Sequence, residues 1–80
     1  MQKTEKFEKE NIHFRVVSPN GDDEYQLDHL TALNNIRTLV KDEAKWLYID
    51  GDFKNPEMLT TRDLDLAEDI ILTNALAGGN

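Results

Sequence analysis

Ile12-His13-Phe14-Arg15-Val16-Val17, closed by Ser18-Pro19-Asn20-Gly21, decides how this 80-residue chain is read. Ile12, Phe14 and Val16 alternate with His13 and Arg15, the period-two pattern of a strand with one face on a core. Pro19 fixes φ, and Asn20 and Gly21 tolerate positive φ, so the chain turns there, with Asp22 and Asp23 prolonging the loop. A second arm, Glu24 to Leu27, completes a hairpin whose inward set is Ile12, Phe14, Val16, Tyr25 and Leu27.

Downstream, the period changes. Asp28 supplies an N-cap, and Leu30, Leu33, Ile36 and Val40 recur at spacings of three and four, so a helix is predicted from about His29 to Lys41, fraying at Asp42 and Glu43. Its apolar stripe must lie on something, and the hairpin face is the obvious receiver. Trp46 to Ile49 form a third strand ended by Asp50-Gly51, the strongest two-residue hairpin signal in the chain, with Phe53 opening a short return arm. Asn55-Pro56 stops that arm. From Glu57 to Glu68 the pattern fits a short helical turn or an irregular loop. Asp69 to Asn74 is a β-branched run suited to a last strand.

The order hairpin, helix, strand, turn, irregular segment, strand makes an α+β domain, one sheet under one helix. A helical crossover lets the third strand pair parallel inside that sheet. Three segments are expected: a charged flexible leader over 1–11, a globular domain over 12–74 and a flexible tail over 75–80.

Composition narrows the function. Nine Lys plus Arg against sixteen Asp plus Glu give a formal net charge of -7, and residues 50–80 carry most of it. The cations are scattered among more numerous carboxylates, so nucleic acid is not the expected partner. The chain has no cysteine, hence no disulfide framework and no thiolate chemistry. No apolar run approaches the length of a bilayer crossing, and a cytoplasmic, soluble protein is expected. His13 and His29 are the only histidines and are read as solvent-facing; Ser18, the only serine, sits in a turn. No nucleophile, base and orienter can be assembled by spacing, so no enzyme activity is expected. A calcium loop at Asp50-Gly51-Asp52 is rejected, because the glycine is misplaced and Lys54 takes a ligand position. No metal and no cofactor are expected.

From these elements the chain resembles the β-grasp, or ubiquitin-like, family, in which a mixed sheet of four or five strands wraps one central helix. The resemblance covers about residues 12–80: the opening hairpin, the single helix, and a final strand leading to Leu76-Ala77-Gly78-Gly79. It implies that the tail enters the ATP site of an adenylating activating enzyme, where the terminal glycine carboxylate is adenylated. Only residues without a Cβ pass a narrow channel freely, which accounts for the two glycines. The ALAGG ending is more similar to the thiamin and molybdopterin sulfur carriers than to ubiquitin's basic tail. Asn80 departs from the pattern and must be removed before Gly79 can serve.

Two other readings use no tail. One is an interaction module, such as a regulatory, viral or phage accessory protein, acting through its sheet face or through acidic residues including Asp63, Asp65 and Glu68. The other is a small assembly subunit, whose leader orders against a neighbour. Trp46 is read as core beside Tyr48, with an exposed partner anchor as the alternative, because Leu47 and Ile49 can equally take the inward face.

Overall fold

A computed structural model describes residues 7–74. Strand β1 (Ile12–Ser18) and strand β2 (Gly21–Leu27) form the hairpin, followed by helix α1 (His29–Glu43), strand β3 (Lys45–Ile49) and strand β4 (Asp52–Lys54). A 3₁₀ turn at Pro56–Met58 and a short helix α2 (Thr61–Leu66) lead into strand β5 (Ile70–Asn74). The five strands make one mixed sheet in the order β2-β1-β5-β3-β4 under one main helix, a small α+β domain consistent with a β-grasp-like fold.

The hairpin is tighter than the sequence suggested. Ser18 pairs directly with Gly21, so Pro19 and Asn20 alone make the turn and Asp22 and Asp23 belong to β2. The parallel partner of β1 is β5, not β3: Arg15 aligns with Ile71 and Val16 with Leu72, while β3 runs antiparallel to β5. The last strand therefore occupies the middle of the sheet. Lys45, buried at the start of β3, ties this end together by donating to Asn74 Oδ1 at 2.7 Å and to the Val17 carbonyl at 3.4 Å.

Helix α1 begins where expected, with the Asp28 carboxylate accepting from the Thr31 amide at 3.2 Å. It does not fray at Asp42 but continues to Glu43 and ends at Ala44 in the left-handed region, φ 55°. Its buried face is His29, Ala32, Leu33 and Ile36, with Leu39 and Val40 partly buried. Leu30, read as part of the stripe, is 61% exposed. Ala32 is fully buried, so the inward face is centred on Ala32, Leu33 and Ile36.

The core lies between α1 and the inner face of β1, β5 and β3. Ile12, Phe14, Val16, Leu47, Ile49, Ile70 and Leu72 supply the sheet side. Strand β2 sits at the sheet's edge beyond most of the helix, so Tyr25, expected inward, is 38% exposed and only stacks on Phe14, with ring centroids 5.2 Å apart. The segment left open in the sequence closes the far end: Leu59, Leu64 and Ala67 are buried. Arg37 of α1 holds it, donating to the carbonyls of Pro56 and Leu59 at 3.0 and 3.1 Å.

The leader is not free over its described part. Phe7, Glu8 and Lys9 engage α1 and α2. Among the described residues, no helix is long and apolar enough to cross a membrane.

Candidate functional site

Two places in the fold gather side chains with something other than packing to do. The first is a buried polar centre where α1 meets α2. Thr60 and Asp63 form a reciprocal capping box, Thr60 Oγ1 accepting from the Asp63 amide at 3.2 Å and Asp63 Oδ2 from the Thr60 amide at 3.0 Å. The box starts α2 at Thr61 and directs Leu64 and Asp65 inward, both with no exposed surface.

A buried carboxylate must have partners. Asp65 Oδ1 accepts from the Lys9 amide and faces His29 Nε2, each at 2.9 Å, while Oδ2 accepts from the Glu8 amide at 2.6 Å. The Lys9 ammonium donates to the carbonyls of Asp65 and Ala67 at the end of α2, where the helix dipole favours a cation. Phe7 stacks on the His29 ring, centroids 3.8 Å apart and planes 14° from parallel, with the Arg62 guanidinium 5.8 Å above the Phe7 ring. Burial pushes the Asp65 carboxyl up, but the Glu8 amide, the His29 ring and the Lys9 amide outweigh it and hold the group down from 3.8 to about 2. A His–Asp pair is two-thirds of an acyl-transfer triad. Here Ser18, the chain's only serine, spends its hydroxyl on the Gly21 carbonyl in the hairpin turn. Asp65 is spent on its donors, so the centre fastens the leader to the body.

The second place is the outer face of the sheet. Asp50 and Gly51, with φ 52° and 87°, form a two-residue turn that requires positive φ at both positions. This turn fixes the register, placing Phe53 opposite Tyr48. Asp50 Oδ1 also accepts from the amides of Glu68 and Asp69, at 2.9 and 2.8 Å, locking the turn to the start of β5. Leu47 and Ile49 take the inward face, so Trp46 and Tyr48 lie on the outer one, which corrects the reading of Trp46 as core. Phe53 meets Trp46 and Tyr48 edge to face, with centroids 5.7 Å apart in both pairs and planes at 72° and 68°. Phe53 is 62% exposed. Ile71 lies beside Tyr48 and, beyond it, the face turns polar through Arg15 and Asp22 at 3.8 Å and His13 and Glu24 at 3.0 Å.

Of the acidic residues singled out in the sequence, Asp63 and Glu68 are exposed, but Asp65 is fully buried and is not a surface contact. His29, read as solvent-facing, is likewise buried, because α1 turns it under Phe7. Leu76, Ala77, Gly78 and Gly79 lie outside the described residues. Sequence reasoning missed Phe53 and Tyr48 as a pair, although the two-residue Asp50-Gly51 turn already implied their register. It missed the Asp65 centre, for which the Thr60-x-x-Asp63 spacing signalled only the helix start. Among the described residues, no three His, Asp or Glu side chains come together as a metal site.

Comparisons with protein-family models, with curated proteins and with solved structures found no match to this chain.

Proposed function

We propose that this chain is a non-catalytic, ubiquitin-like cytoplasmic protein that acts by being bound, and that the outer sheet face is where a partner protein docks. The observation that carries this reading is the contact of Trp46, Tyr48 and Phe53 on the solvent side of β3 and β4, with Phe53 62% exposed. Rigid aromatic groups held by a sheet lose little entropy on binding and dominate protein interfaces. The test is affinity capture from cell extract with the full chain, Phe53→Asp and, as a control on the exposed side of α1, Leu30→Asp. Partners held by the full chain and by Leu30→Asp, but lost with Phe53→Asp, support the reading. A partner set unaltered by Phe53→Asp overturns it.

A second reading makes the Gly78-Gly79 terminus a modifier or sulfur-carrier tail after loss of Asn80. It is favoured by the strand order, in which β5 is paired on both sides and ends at Asn74, an exposed residue. A chain ending at Gly79, incubated with ATP and an adenylating activating enzyme, should give an adenylate or thiocarboxylate by mass spectrometry, and Gly79→Ala should not. An inert truncated chain removes this reading without touching the first.

A further inference from the structure

Beside β4, on the side of α2, a groove of about 430 Å³ opens between Asp52, Phe53, Met58 and Leu66, with Leu59 and Ala67 among its buried lining. That volume falls in the range of about 300–1,000 Å³ typical of ligand clefts. Five large apolar side chains are exposed among the described residues, and three of them, Phe53, Met58 and Leu66, line this groove, at 62%, 77% and 58% exposure. Met58 and Leu66 contribute little to the core, yet both stand at the groove, where exposed apolar surface costs solubility.

Charge says what covers it. Asp50, Asp52 and Asp63 line the groove against a single lining cation, Lys54. Asp50 Oδ1 accepts from the amides of Glu68 and Asp69, and Asp63 Oδ2 from the amide of Thr60, bonds that hold these carboxylates in place without neutralising them. Apart from the buried Asp65, residues 50–69 hold six carboxylates against Lys54 and Arg62. A second copy of this chain, itself at -7, would bring like charge to the rim. Anionic lipid and nucleic acid are repelled for the same reason. A cationic protein segment meets the opposite field and is drawn toward the groove.

We propose that this groove binds a segment of a partner protein that carries a bulky aliphatic side chain flanked by Lys or Arg. The aliphatic group enters between Met58 and Leu66, and the flanking cations face Asp52 and Asp63. The site goes beyond the aromatic face on the outer side of the sheet and shares only Phe53 with it.

The experiment is selection of short random peptides on the immobilised full chain, followed by titration of the enriched peptides into labelled protein monitored by amide chemical shifts. The expected peptides combine Leu, Ile or Met with neighbouring Lys or Arg, and shift the amides of Asp52, Met58 and Leu66. Asp52→Lys and Leu66→Ser, both at exposed positions, should each weaken binding by about tenfold, and added salt should weaken it further. Trp46→Ala should leave it within about twofold, which separates this groove from the outer face. Neutral or acidic selected peptides, shifts confined to Trp46 and Tyr48, affinity unchanged in Asp52→Lys, or no enrichment at all would each overturn the proposal.

Discussion

His29 Nε2 lies 2.9 Å from Asp65 Oδ1, joining the first turn of α1 to a helix that begins 32 residues later in the chain. Both side chains are buried, and the rest of the carboxylate is claimed by amides of the leader. Three segments distant in sequence, residues 7–9, α1 and α2, thus share one carboxylate.

That sharing gives stability an acid dependence of fixed sign. The folded chain holds the Asp65 carboxyl below its ordinary 3.8, at about 2, so it binds protons more weakly than the unfolded chain. Its contribution is complete above 3.8 and is lost as pH falls through about 2. Urea unfolding followed by circular dichroism across that window should show the full chain losing stability faster than Asp65→Asn. Equal slopes for the two proteins would contradict the assignment. At neutral pH the variant, with one donor facing another, should melt roughly 10 °C lower.

The leader should behave as part of the domain. Phe7→Ala removes the ring stacked on His29 and the surface beneath Arg62, and is expected to cost about 1–2 kcal/mol in urea unfolding. Deleting residues 1–9 should cost more, since Asp65 then loses the Glu8 and Lys9 amides as well. A deletion no more harmful than Phe7→Ala would mean that those amides do not matter.

Helix α1 offers a test of which face is buried. Ile36→Ala should cost about 2–5 kcal/mol, as a fully buried aliphatic group leaves a cavity. Leu30→Ala, at a position 61% exposed, should stay within about 0.5 kcal/mol. Similar losses at both positions would return Leu30 to the core.

The end of the same helix is improvable. Ala44 sits at φ 55°, a conformation that costs a residue with a Cβ, and its side chain is exposed. Ala44→Gly should raise stability by about 0.5–1 kcal/mol, read as a higher urea midpoint. The same replacement at Asp50, φ 52°, should not help, because the Asp50 carboxylate accepts from the Glu68 and Asp69 amides.

Local patterns carried much of this fold. The alternation over Ile12 to Val16, the Asp28 cap and the Asp50-Gly51 turn each act within a few residues, and each element formed where its signal stood. Readings that depended on a neighbour's position fared differently. Tyr25 alternates as an inward residue should, but its strand lies at the sheet edge, where little of the helix covers it. Trp46, expected in the core, lies on the outer face, because Leu47 and Ile49 take the inner one where β3 pairs with β5.

The candidate site divides along the same line. Period, cap and turn residues determined one sheet under one main helix, because backbone preference and hydrophobic periodicity are local quantities. Tertiary structure alone decided that Asp65 faces inward, that Phe53 meets Trp46 and Tyr48, and that Met58 and Leu66 border one groove. Those outcomes depend on which distant segments exclude water from which side chains, and burial, unlike periodicity, is a property of the assembled chain.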